Sequence, residues 1–249
     1  RCLVGSEMCI RDRKYFGADG REEADLLLKR SSGSDEAPRM LGAFNEETPD
    51  WLSFFMFTYF TDRDGKMQLE SLAQSGFDPL SRTCRFMLTE EAHHMFVGET
   101  GVGRTIQATV DAMTAAGITD PYDMNRIRDL GVIDLPTIQK KLNLHYSLSL
   151  DLFGNEVSTN AANAFNAGIK GRYMEHRLDD DHQLQRDTYD VKMVRDDQII
   201  TEQMPALNAI NMRLRDDYVK DASGGLNRWN KIMKRKNVCL LYTSDAADE

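Results

Sequence analysis

Glu90-Glu91-Ala92-His93-His94 is the stretch on which the fold reading turns. It lies inside a segment patterned as a helix that begins near Pro79. Read at steps of three and four, Leu80, Cys84, Met87, Glu91, His94 and Gly98 share one stripe, and Arg82, Arg85 and Thr89 lie opposite. Apolar residues flank Glu91 and His94 along that stripe, so both side chains are expected to face inward. A carboxylate and an imidazole one turn apart on an inward face form the unit from which carboxylate-bridged di-iron sites are built in four-helix bundles. Glu90 and His93 share the spacing, so the motif by itself leaves the register open. The stripe favours Glu91 and His94 as ligands and places Glu90 and His93 behind them, as hydrogen-bonding support. The plain alternative for any such pair is a solvated i,i+3 contact.

Working outward, Thr48-Pro49-Asp50 carries a helix-start signal, with a hydroxyl at the cap, proline in the first turn and an acid beside it. Trp51, Phe55, Thr58 and Asp62 then fall on one stripe, which turns Asp62 inward as well. A carboxylate buried alone is costly or takes up a proton. Two inward acids and an imidazole on adjacent helices are therefore expected to share a cation, and this donor set suits iron or manganese better than a thiolate-seeking metal.

The remaining pattern is mostly helical. A short helix is expected over 19–30, a connector at Ser31-Ser32-Gly33-Ser34-Asp35, and a break near Asp64-Gly65 with a second helical piece to Gln74. The long helix after Asp78-Pro79 meets Gly98, Gly101 and Gly103, which weaken its later turns. Further helices are expected from Pro136 to Leu152, over 160–173 and over 205–220. Thr188 to Val194 and Gln198 to Glu202 are β-rich and separated by Arg195-Asp196-Asp197, a hairpin signal near 188–203. The fold class is mainly α: a helical bundle with one small β excursion.

The two ends read differently from the interior. Met8-Cys9-Ile10-Arg11-Asp12 can be encoded as ATG TGT ATA AGA GAC A, whose reverse complement translates to Cys239-Leu240-Leu241-Tyr242-Thr243. A natural domain has no reason to carry such a relation, and the pattern resembles a transposon-type sequencing adapter. Residues 1–13 and 238–249 are accordingly expected to be translated adapter, which leaves 14–237 as an internal piece of a longer domain. Of the four cysteines only Cys84 then remains, so no disulfide is expected, which suits a reducing cytoplasm. The formal charge of −9, carried without a clustered basic face, argues against nucleic acid as the main partner. No apolar run approaches the roughly 18–20 residues that span a bilayer, so no membrane partner is expected.

At this point longer strings become informative. Thr48-Pro-Asp-Trp-Leu-Ser-Phe-Phe-Met-Phe-Thr, Thr61-Asp-Arg-Asp-Gly-Lys, Leu88-Thr-Glu-Glu-Ala-His-His-Met-Phe-Val-Gly-Glu and Gly131-Val-Ile-Asp-Leu-Pro-Thr closely resemble the oxygenase component of benzoyl-CoA epoxidase. The likeness continues through Gly171-Arg-Tyr, Pro205-Ala-Leu-Asn-Ala, Leu214-Arg-Asp-Asp-Tyr and Arg228-Trp-Asn-Lys. This resemblance implies a ferritin-like di-iron fold, a cytoplasmic role in aerobic benzoate breakdown, and epoxidation of the benzoyl-CoA ring by O2. It also implies a separate reductase that passes electrons from NADPH through FAD and an iron–sulfur centre. Carried over by position, one ligand set of that family falls on Asp62, Glu91 and His94. The other would lie upstream of Lys14, so the chain is expected to hold half a site and to be inactive alone. A related di-iron oxygenase acting on another acyl-CoA or a hydrocarbon, and a metal-free helical interaction module, are the competing readings.

Other features carry less. Gly98-Glu-Thr-Gly-Val-Gly-Arg lacks the preceding strand and the Gly-Lys-Ser of a phosphate loop, so close helix packing is expected there. Lys170 and Arg172 are weak candidates for CoA phosphates, with ordinary surface charge as the default. His145 reads as a hydrogen-bonded core histidine, and His176 and His182 as solvated. The aromatic run Phe54 to Phe60 reads as core first and as the lining of an acyl pocket second.

Overall fold

The computed structural model describes residues 20–153, 159–172, 188–236 and 238. His176, His182 and the terminal segments 1–13 and 239–249 lie outside them. The chain divides into two compact units, Arg1–Glu47 and Thr48–Glu249. In the first, helix α1 (Gly20–Leu28) is followed by a loop and one 3-10 turn at Gly42–Asn45. The Asn45 side chain ties that loop together: its Oδ1 accepts from the Gly33 and Arg39 amides at 3.2 and 2.8 Å, and its Nδ2 donates to the Arg39 carbonyl at 2.9 Å.

The second unit is a helical bundle with a hairpin. Its elements are α2 (Trp51–Leu72), α3 (Asp78–Ala115), α4 (Met124–Asp129), α5 (Leu135–Asp151), α6 (Thr159–Asn166), β1 (Thr188–Arg195), β2 (Gln198–Pro205) and α7 (Ile210–Lys234). Among the described residues, no helix is long and apolar enough to cross a membrane. The cap of α2 is Asp50 rather than the expected Thr48: its carboxylate accepts from the Ser53 amide at 2.8 Å. Asp134 caps α5 in the same way through Thr137, with Pro136 in the first turn.

Glycines mark the largest departures from the sequence expectations. Gly65 does not break α2, and Gly98, Gly101 and Gly103 do not weaken α3, which runs straight through them. At Gly98 an added Cβ would stand 2.6 Å from the Tyr59 amide nitrogen and 2.8 Å from the Phe55 carbonyl. At Gly101 it would enter the Phe55 ring. These positions are bare because the backbone of α2 at Gly98 and the Phe55 ring at Gly101 occupy the space, and packing outweighs the roughly 1 kcal/mol propensity penalty of a helical glycine. Gly225 does the same for α7, where a Cβ would collide with the Tyr59 hydroxyl. That helix accordingly extends past Gly224-Gly225 to Lys234. It also starts later than expected, because Pro205 still pairs with Thr188 at the end of the hairpin. The hairpin closes on Asp196 and Asp197, both at positive φ (52° and 59°), as a tight two-residue turn between right-twisted strands requires.

The core lies between α2, α3, α5 and α7, with Val102, Ile106, Val110 and Met113 as the share of α3. Leu52, Met56, Tyr59, Phe60 and Met67 of α2 meet Ile138, Leu142 and Tyr146 of α5 and Leu214, Tyr218 and Trp229 of α7. Aromatic rings interlock there, with Tyr59 and Trp229 centroids 4.7 Å apart and Phe60 and Tyr146 at 5.8 Å. Their polar tips find backbone acceptors: Tyr59 on Ala222, Tyr218 on Phe60, and Trp229 on Glu99, at 2.9, 3.2 and 3.1 Å. Arg63 is buried in this layer, over the Tyr59 ring and paired with Asp221 of α7.

Candidate metal centre

The α2–α3 seam builds the site as an antiparallel ladder. Phe55 faces Gly101, Thr58 and Tyr59 face Gly98, and Gly65 faces the Glu91 carboxylate. Between these small-residue rungs lies the layer formed by Asp62, Glu91 and His94. Close backbone approach at Gly98, one turn beyond His94, brings short side chains on the two helices within reach of each other.

One donor atom from each of Asp62, Glu91 and His94 lies within 4.8 Å of the other two. His94 Nδ1 stands 3.6 Å from Asp62 Oδ2 and 3.8 Å from Glu91 Oε2, beyond hydrogen-bonding range. Glu91 Oε2 is buried and has no hydrogen-bond partner. Burial pushes the Asp62 carboxyl up to about 7, with the neighbouring Glu91 adding to the rise and His94 opposing it. Burial likewise raises Glu91, again against the pull of His94. An unpartnered carboxylate oxygen, two acids that resist ionising together and an imidazole nitrogen at one point form an arrangement that a divalent cation would relieve. The residues therefore fit a metal ion of the oxygen- and nitrogen-preferring class.

The surroundings differ from the expected inward stripes. The Asp62 and Glu91 side chains are 17% and 15% exposed, but His94 is 49% exposed. Trp51 is exposed on the same helix as Asp62, and Met87 on the same helix as His94. The core-facing side of α2 is instead the row Leu52, Met56, Tyr59 and Arg63, one step around the helix from the assigned stripe. The ligand row occupies the flank of the bundle. Of the aromatic run, Met56, Tyr59 and Phe60 are core, whereas Phe54 is exposed.

Glu90 and His93 both point to solvent; Glu90 adds a small upward push on Glu91 and nothing closer. Lys170 and Arg172 turn inward: Lys170 donates to Gln68 Oε1 at 2.7 Å beside Asp64, and Arg172 is buried. They anchor the 168–172 segment, whose Gly171 amide bonds the Ser71 carbonyl at 2.8 Å, and their geometry does not favour a phosphate role. His145 is buried and held neutral, its pKa lowered to about 4 chiefly by burial and further by Lys141. Gly98 and Gly101 build the site through the close helix packing expected there, although they do not weaken α3 as was also expected. Two glycines three apart on a helix, directly after its ligands, were the available signal.

A mainly helical bundle with a carboxylate–imidazole cluster on one seam defines a candidate metalloprotein of the helical-bundle class. No family model matches the chain. Over 229 residues, 92% of this chain, it is 58% identical to benzoyl-CoA oxygenase component B of Aromatoleum evansii. The resemblance read from the sequence strings is therefore sound along nearly the whole chain. The chain spans about half of that relative, 48% of its length.

Proposed function

We propose that the chain is the part of a benzoyl-CoA oxygenase component that contributes one ligand set, Asp62, Glu91 and His94, to an iron centre. The observation that carries this reading is the convergence of those donor atoms within 4.8 Å, around a buried Glu91 oxygen that has no partner. The similarity to a named oxygenase component supports the substrate and the reaction class: incorporation of oxygen from O2 into the ring of benzoyl-CoA, as an epoxide. A component by name works with others, which supports an electron-delivering reductase carrying NADPH, FAD and an iron–sulfur centre as partner. A single buried thiol among the described residues suits a reducing cytoplasm.

Iron, when bound, supplies the redox and O2-activating chemistry. The chain's own residues do the rest. Asp62 and Glu91 provide anionic oxygens whose protons a cation displaces, and His94 provides a neutral nitrogen donor through Nδ1. Burial of both acids makes the metal-free state unfavourable and so strengthens the drive to bind.

We further propose that these donors are half of the complete site. The exposed flank at His94, with Phe86, Met87 and Phe96 uncovered beside it, is where the opposing donors would pack. The test is an anaerobic titration of the purified chain with Fe(II) or Mn(II). One weak site is expected, abolished by Glu91→Ala or His94→Ala. Tight stoichiometric iron would contradict the half-site reading, and binding indifferent to both substitutions would remove the ligand assignment.

A further inference from the structure

Helix α7 ends in a run unlike the rest of the chain: Arg228-Trp-Asn-Lys-Ile-Met-Lys-Arg-Lys236 carries five cations and no acid. The whole chain has a formal charge of −9, so everything outside these nine residues carries −14. The expectation that no basic face is clustered therefore fails at this one place. Trp229 and Met233 are buried beneath the run, and all five cations are exposed above it. Two of the five are engaged within the fold, Arg228 by the Glu99 carboxylate at 2.7 Å and Lys236 by Asp111 at 3.4 Å. Lys231, Lys234 and Arg235 form no hydrogen bond or ion pair among the described residues. Cations in a last helical turn complement the macrodipole, but that effect fades within one turn and does not call for five.

Position ties the run to the metal cluster. The Trp229 indole donates to the Glu99 carbonyl at 3.1 Å, and Gly103 lies against the same ring. Glu99 is five residues beyond His94 on α3, about 7.5 Å along the axis at 1.5 Å per residue. The two helices run side by side here, since Arg228 meets Glu99 and Lys236 meets Asp111.

We propose that Lys231, Lys234 and Arg235 form the docking surface for the electron-delivering partner, which meets them with an acidic face. The inference rests on the partner reading given above and adds the place where that partner sits. Opposite charge at an encounter surface raises the association rate and fixes orientation. A compact acidic face would touch the patch alone. Duplex DNA or an anionic bilayer extends past it, into the field of the −14 remainder, and is repelled there. Docking at this end also sets the partner beside the α3–α7 contact, within a few turns of His94 along α3.

Biolayer interferometry of the 249-residue chain against the purified reductase component of a benzoyl-CoA oxygenase tests this. The association rate is expected to fall as salt rises from about 0.01 M to about 0.15 M, where the screening length shrinks from about 30 Å to about 8 Å. The combined Lys231→Gln, Lys234→Gln and Arg235→Gln variant, altered only at exposed positions, should associate about tenfold more slowly at the lower salt. It should also lose most of the salt dependence. Lys192→Gln should leave the rate unchanged, because β1 reaches α7 near its other end, through Tyr189 and Asp216. An unchanged rate in the triple variant overturns the docking site while the partner reading stands. Failure of the unaltered chain to bind the reductase overturns that reading together with it. Binding of duplex DNA or phosphatidylglycerol vesicles through the three cations, with the reductase indifferent to them, assigns the patch elsewhere and overturns the proposal.

Discussion

The two long rows of α2 are built to opposite rules. Along one row, Leu52, Met56, Tyr59, Phe60 and Met67 are almost wholly buried, and the polar tip of Tyr59 bonds a backbone acceptor. Along the other, Trp51 is exposed, Asp62 is held near neutrality by burial, and its neighbour across the seam, Glu91, keeps a buried oxygen without a partner. One helix thus carries a row packed for stability, in which Arg63 keeps one buried nitrogen unpartnered beside its ion pair with Asp221, and a row whose buried acids are unrelieved. Unrelieved buried acids persist where a ligand is to satisfy them, so the contrast separates what holds the fold from what the fold holds.

The sharpest way to break that contrast is Trp229→Ala, which removes the α7 ring packed against Tyr59 and Phe60 of the stabilising row. It should cost about 3–5 kcal/mol in urea unfolding, as loss of a buried indole does. A loss below about 1 kcal/mol would show that α7 is not part of the same cooperative core. Next in size is a pH effect on the same side of the molecule. His145 has its pKa lowered to about 4 from 6.5, so between those values the unfolded chain binds a proton that the folded chain does not. Stability is therefore fully present above pH 6.5 and declines as pH falls toward 4, by on the order of 3 kcal/mol. His145→Leu should flatten that decline in unfolding curves taken from pH 7 to pH 4; a decline of unchanged size would assign it to other groups.

Gly98→Ala tests whether the rows are coupled. The new methyl meets the backbone of α2, so a loss of about 1–3 kcal/mol is expected. Because the same contact sets the spacing of Asp62 and His94, Mn(II) affinity should fall more than the stability loss explains. Affinity that survives in the folded variant would uncouple the glycine from the ligands. The smallest effect is expected at Gly65→Ala. The nearest atoms to an added Cβ are 3.8 and 4.0 Å away, both on the Glu91 carboxylate, so the methyl fits. Removing a helical glycine should then stabilise by about 0.5–1 kcal/mol, read as a rise in Tm. A fall would mean that the space beside Glu91 is tighter than it stands.

Much of this was legible in the residues. Helix starts at Pro49, Pro79 and Pro136, the hairpin around Asp196-Asp197 and the pairing of Glu91 with His94 all follow from local rules that act within a turn or two. Helix ends at glycines were not legible, because Gly65, Gly98, Gly101 and Gly225 answer to a neighbouring helix and not to local propensity. The short helix α4 escaped for the opposite reason, since six residues offer too little periodicity to detect.

By itself the sequence determined which donors exist, that Glu91 and His94 share a face one turn apart, and that Asp62 lies on a matching row of the preceding helix. Only the tertiary structure decided that this face lies on a flank with His94 half open, while the row one step around α2 became the core. The physical reason is that helical periodicity specifies which side chains stand together. Which neighbour covers them, and how closely, depends on contacts from α5 and α7, more than 60 residues away along the chain.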